Sequence, residues 1–362
     1  MDTQRLLLRS VLLWAHSEAE VVDSVSECAE FFLLSTPPVI PGVLENRGIM
    51  DQNRYKPICQ TYKDHRRFFT LYDVRHKIPV FSFYIFKGND PRTRRPNGFW
   101  TTEPQLEINM EKKCGQNIVF RNQASFNDYK NQLDFDRGHL YPSSYGKTQE
   151  DKESTFTLTN AVPQAKTFNQ GSWNRMENCT KCVMKKHCIN SNKRIEGFLV
   201  TGAEPGNNVL KNKKKMNSPS AMWSAFCCYS STERKWIASA FWGRNVPDER
   251  KDKYMETETL NQLKFRKTSA FELFPGTQCP PDTTVTELYP ELNDQVNCNW
   301  PPTATTTASP NTTNTTTAIT TTQPHCSVLS HKSIYIYILC IFTKSDHKIL
   351  KYKSIFKFYP SP

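Results

Sequence analysis

The stretch LDFDRGHLYPSSYG, residues 133–146, sets Asp136, Arg137, Gly138 and His139 side by side after an apolar run. Charged groups are costly to bury without partners, so such a cluster marks either a surface turn or a reactive site. If the segment is a strand, Arg137 and His139 share one face while Asp136 points to the other. Gly138 between them lets the backbone kink or another group approach closely. A guanidinium fork matches phosphate oxygens, and an imidazole accepts a proton near neutral pH. The pair suits phosphate chemistry.

Two further segments must position that pair. In STFTLTNAVPQ, residues 154–164, Phe156 and Leu158 alternate with Thr155, Thr157 and Thr159, which predicts a strand. Asn160 follows on the apolar face at the strand end, where it either meets a partner or caps the next turn. Pro163 is expected to stop the strand. In KTFNQGSWNRMENCTKCVMKKH, residues 166–187, the later part is helical in composition and ends in Lys185, Lys186 and His187. Those cations suit the C-terminal end of a helix dipole. Asn169, Trp173 and Glu177 recur at i, i+4 and i+8, roughly one face. Asn169 also fits a plain N-cap. Gly171 weakens the first turn, a cost compatible with close backbone approach. The order is strand, strand, helix, with His139 on the first strand and Asn169 at the helix start.

DRGH at 136–139, TFTLTN with PQ at 155–164 and NQGSWNRME at 169–177 together resemble the DNA/RNA non-specific endonucleases, over about residues 20–300. The flanking text resembles the vertebrate secreted branch of that family. The resemblance implies an α+β fold, a ββα-metal (His-Me finger) nuclease core within a larger mixed sheet-and-helix domain. It also implies that His139 is the general base, Asn169 the magnesium ligand and Glu177 a holder of the waters around the cation. Asn160 would support the site and Arg137 would contact phosphate. A further family arginine precedes a tryptophan, so Arg92, Arg94 or Arg95 before Trp100 is a candidate, with Arg94 and Arg95 taken as nucleic-acid-binding. Hydrolysis of DNA or RNA without base reading is the implied activity, with magnesium, manganese or another divalent cation as cofactor. A single amide ligand suits magnesium, which keeps most of its waters and accepts phosphate as a ligand. Binding chiefly to phosphates would be strongly salt-dependent.

The whole chain bounds these expectations. It has 362 residues and a formal net charge of +12, of which residues 325–362 supply +5 through six lysines against Asp346. Twelve cysteines are many for a reducing compartment and predict disulfides and a secreted, extracellular location. CTKC with Cys188 is the zinc alternative, although no second pair at matching spacing accompanies it. Residues 1–20 read as a degenerate signal segment, because Arg9 and Ser10 split its apolar run. Residues 21–300 carry no low-complexity stretch and read as one domain, with a hairpin over 66–86, a buried strand from 197 and a second hairpin over 222–242. Residues 301–325 are a threonine-rich stalk or linker with sequons at Asn311 and Asn314. In the basic tail, 326–362, SIYIYILCIF is too short to span a membrane, which needs about 20 apolar residues. Two other readings stand beside the nuclease: a non-catalytic secreted glycoprotein using the fold as a binding module, and a mucin-like adhesion protein resting on the stalk alone. Oligomeric state is left open.

Overall fold

Runs of aromatic and β-branched residues form the strands expected of them in the computed structural model, which describes residues 20–97, 100–107, 120–210 and 216–289. A seven-stranded antiparallel sheet is built from β1 (Glu20–Val21), β2 (Tyr55–Tyr62), β3 (His65–Asp73) and β4 (Ile78–Phe86), then β7 (Gly197–Glu204), β8 (Ala221–Ser230) and β9 (Lys235–Arg244). They lie in the order β1-β2-β3-β4-β7-β8-β9. Between β4 and β7 the chain leaves the sheet to make a separate two-stranded ribbon, β5 (Phe135–His139) and β6 (Ala161–Ala165). Among the described residues the α-helices longer than a single turn of three residues are α1 (Gln149–Ser154), α2 (Asn174–His187), α3 (Leu260–Lys267) and α4 (Val285–Leu288).

Both faces of the large sheet are covered, so its strands are apolar almost throughout rather than alternating. Phe68, Tyr84, Phe86, Met222 and Phe226 pack toward the ribbon and α2, while Phe69, Phe81, Phe83 and Trp223 pack toward Phe31, Phe32 and Phe274 on the opposite side. The adjacent cysteines of β8 follow the two-residue period of a strand. Cys228 bonds Cys188 at the end of α2, and Cys227 bonds Cys279 on the other face. A third bridge joins Cys28 to Cys59. With Cys188 held in a disulfide, the zinc set of Cys179, Cys182 and Cys188 is excluded.

The second site strand lies one step later than the alternation of residues 154–160 suggests. Leu158–Asn160 is a turn, and the strand is Ala161–Ala165, running through Pro163 instead of stopping there. Pro163 stands opposite Arg137. Its carbonyl accepts from Asn245 Nδ2 at 2.8 Å, and Ala165 N–H donates to Asn245 Oδ1 at 2.7 Å. That edge of β6 faces away from β5, so the missing proline N–H takes nothing from the ribbon. Thr157, predicted as mid-strand, pairs only with Thr101 in an isolated parallel bridge.

The described residues belong to one compact unit. The expected signal segment up to residue 19, the threonine-rich stretch 301–325 with its sequons and the tail 326–362 with its apolar decapeptide lie outside the described residues. Among the described residues no helix is long and apolar enough to cross a membrane.

Candidate active site

β5, the loop after β4 and the start of α2 meet along a cleft of about 670 Å³ whose walls carry Arg95, Asp136, Arg137, His139, Asn169 and Glu177. The predicted pair on β5 is therefore joined by two groups from the helix and one from the loop after β4. His139 sits between two aromatic rings, 4.7 Å from the Trp100 ring and 4.8 Å from that of Phe156. Its Nε2 is buried without a hydrogen-bond partner. Burial, then Arg95 and Arg137, push the imidazole pKa down to about 3. The ring is neutral at physiological pH.

Gly138 is required by its neighbour across the ribbon. A Cβ there would stand 2.1 Å from Gln164 Oε1 and 2.6 Å from Gln164 Cβ. Asp136, expected on the face away from His139, also reaches the cleft. The reason is that its carboxylate extends to the helix start, where Oδ2 accepts from Asn169 Nδ2 at 2.9 Å and Gln170 Nε2 at 2.8 Å. This fixes which way the Asn169 amide lies: the NH₂ is committed to Asp136, and Oδ1 remains for a ligand.

The helix start differs from a plain N-cap. Lys166–Phe168 form one helical turn, Asn169–Trp173 a π-turn, and α2 follows from Asn174. Such π-bulges concentrate at functional sites because they re-aim side chains within a helix. Here the bulge accommodates Asp248, whose Oδ2 accepts from Ser172 N–H and whose Oδ1 accepts from Ser172 Oγ, each at 2.7 Å. A Cβ on Gly171 would lie 2.4 Å from that carboxylate, which explains the glycine. Asp248 and Asn245 were not legible as site residues, since NVPD reads as an ordinary turn. One loop after β9 thus pins both β6 and the start of the helix.

Trp173 is buried beneath the cleft instead of lining it, and its indole Nε1 donates to Glu177 Oε1 at 3.0 Å. Burial raises the Glu177 carboxyl to about 7, against the lowering effects of the Trp173 hydrogen bond, Lys181 and Arg95. Lys181, one turn further along α2, was not singled out from sequence. Its own pKa is lowered by burial and by Lys185.

The remaining candidates separate by position. Arg137 is exposed over the Trp100 ring, 5.2 Å from its centroid. Arg95 lines the cleft, whereas Arg94 is exposed outside its lining and Arg92 is held by Asp90 at 2.6 Å. Asn160 is fully buried below the site. Its Oδ1 accepts from Ser82 Oγ (2.9 Å) and Tyr141 N–H (3.0 Å), and its Nδ2 donates to the carbonyls of Tyr141 (3.1 Å) and Thr155 (3.0 Å). It ties the backbone just beyond His139 to the large sheet and does not line the cleft.

Among the described residues no group of three or more His, Cys, Asp or Glu could hold a metal by protein ligands alone. One amide oxygen, with a carboxylate two turns away, fits a hard cation that retains most of its water. Burial is what raises the Glu177 carboxyl, and a cation beside it would favour the carboxylate further than Lys181 and Arg95 do.

This chain belongs to the DNA/RNA non-specific endonuclease family, whose model matches residues 50–271. It is similar to the Endonuclease domain-containing 1 protein of Homo sapiens, 29% identical over 212 residues that cover 56% of this chain and 39% of that protein. The Mus musculus protein of the same name is 28% identical over 212 residues, covering 56% and 38%. The "Nuclease" of Serratia marcescens is 30% identical over 118 residues, covering 32% and 42%. The chain thus spans about two fifths of the length of these relatives. A chain in the crystal structure of an EndoG/EndoGI complex superposes with a TM-score of 0.45 at 16% identity, covering 61% of this chain and 90% of that one.

Proposed function

We propose that the protein is a divalent-cation-dependent, sequence-non-specific endonuclease that hydrolyses phosphodiester bonds of DNA, RNA or both. The observation that carries this reading is that His139 and the oriented amide of Asn169 line the same cleft. Water attacks phosphorus, its proton passes to the His139 imidazole, and the bond to the leaving oxygen breaks; that oxygen takes a proton from solvent, giving a phosphomonoester and a hydroxyl. Asn169 and the waters around Glu177 would hold magnesium or a similar ion, which would supply positive charge beside the phosphate. Arg137 and Arg95 bind non-bridging oxygens.

A pKa of about 3 is low for a base at neutral pH. The negative charge of a bound diester offsets Arg95 and Arg137, the causes that rank after burial, and so raises the basicity of the ring. Asp136 orients Asn169, and Asn160 with Ser82 holds the strand end behind His139.

The three disulfides among the described residues support synthesis through an oxidising, secretory route. Plasmid nicking with and without chelator tests the activity. Cleavage that stops on chelation and returns with magnesium is expected. Binding without cleavage under any divalent ion would instead establish a non-catalytic module.

A further inference from the structure

The sequence holds a third acceptor sequon, Asn178-Cys179-Thr180, inside the folded domain and on the helix that carries Glu177. Asn178 is exposed, and its amide makes one long side-chain hydrogen bond, from Nδ2 to Asn174 Oδ1 at 3.3 Å. Both asparagines line the cleft together with Glu177. We infer that Asn178 carries an N-linked glycan that stands at the mouth of the cleft and restricts access of double-stranded nucleic acid. The inference rests on the secretory route proposed above.

Attachment is chemically simple. The Asn178 Nδ2 displaces the pyrophosphate of a lipid-pyrophosphate-linked oligosaccharide from the anomeric carbon of its first sugar. A C–N bond forms, the C–O bond to pyrophosphate breaks, and the amide proton leaves to solvent. Thr180, which completes the sequon, is 4% exposed in the folded protein, so transfer has to precede closure of α2 onto the core. A glycan is bulky and hydrated. Rooted one residue after Glu177, it excludes a wide, rigid duplex before it excludes a single strand. The basic stripe formed by Lys181 and Lys185 further along α2 would lie under the same sugar.

The test uses the full chain behind a functional secretion signal, produced in cells that perform N-glycosylation. Peptide mass spectrometry should find residue 178 as aspartate after amidase treatment, and no unmodified asparagine in secreted protein. An unmodified Asn178 peptide as the main species overturns the assignment. The gate is read by duplex binding in a His139→Ala background, so neither readout depends on hydrolysis. Asn178→Gln, and amidase treatment of the folded protein, should each tighten duplex binding about tenfold relative to the glycosylated form. Thr180→Ser, which keeps the sequon, should bind like the parent. Equal duplex affinity with and without the sugar overturns the gating role. Failure of the nuclease reading would show separately, as absent cleavage of both single-stranded and duplex substrate by the His139-containing protein after the glycan is removed.

Discussion

The large sheet and the small ribbon-and-helix unit treat polar groups in opposite ways. Within the sheet Thr70, Ser82, Thr201 and Ser224 are buried in paired hydroxyl contacts of 2.9–3.0 Å. In and under the cleft, His139 Nε2 and both amide atoms of Gln164 are buried without partners. Leaving such a group unsatisfied costs about 1–3 kcal/mol. The site can carry that cost because the sheet and its disulfides hold the unit from outside, through Asn160 to Ser82, Gln60 to Thr159 and Asn245 to β6. Stability and reactivity are thus housed in different elements, and substitutions should separate them.

The largest expected effect is on the reactive side alone. His139→Ala should lower the cleavage rate by about 10²–10⁴-fold, the usual cost of losing a general base. Thermal unfolding should hardly move, because the lost packing is offset by removal of a buried nitrogen that has no partner. Activity within a few-fold of wild type would remove His139 from this role.

The two asparagines offer the cleanest division. Asn169→Ala should raise the magnesium needed for half-maximal cleavage by about 10–100-fold while leaving stability unchanged. Asn160→Ala, which strands four buried partners, should cost about 2–4 kcal/mol in denaturant unfolding with the magnesium requirement unaltered. Equal metal dependence in the two variants would place the cation elsewhere.

A smaller effect is expected from pH. Glu177 has to be anionic to hold waters around a cation, and its carboxyl lies near 7 because it is buried. At low magnesium, kcat/KM should fall as pH drops through about 7. Raising magnesium favours the carboxylate and should move that limb to lower pH. In Glu177→Gln the limb should no longer respond to magnesium.

The smallest effect belongs to the scaffold. Glu103 is buried, caps Gln105 N–H at 2.9 Å through Oε1, and leaves Oε2 without a partner. Burial raises its pKa from 4.5 to about 7. A carboxyl raised on folding stabilises the folded state below the unfolded pKa, and that contribution is lost as pH rises through the folded one. Glu103→Gln should therefore raise stability at pH 8 by up to about 3 kcal/mol and by little at pH 4. Urea unfolding at the two pH values checks the sign, and cleavage should be unaffected.

Much of the sheet was legible because its strands announce themselves locally. The hairpin over 66–86 and that over 222–242 are long apolar runs broken by polar turns, and both form as expected. The strand after Asn160 was misplaced by a few residues. Alternation in TFTLTN is real, yet Thr157 meets only Thr101, and the ladder to β5 starts where Pro163 argues against one. The proline is tolerated because its nitrogen faces the edge, which no local pattern reveals.

Residue types and spacing by themselves determined the ordered motifs, the phosphate-suited pair on β5, the helix carrying Asn169 and Glu177, and the presence of disulfides. These depend on side-chain chemistry and short-range periodicity, both of which are written in the chain. Tertiary structure alone decided that Asp136 turns into the cleft to orient Asn169, and that Trp173 sits beneath Glu177 rather than beside the substrate. It alone brought Asp248 against Gly171 from 77 residues away. Those contacts join segments far apart in sequence, and their geometry is set by how the helix and ribbon seat on the sheet, so nothing in a local window can fix them.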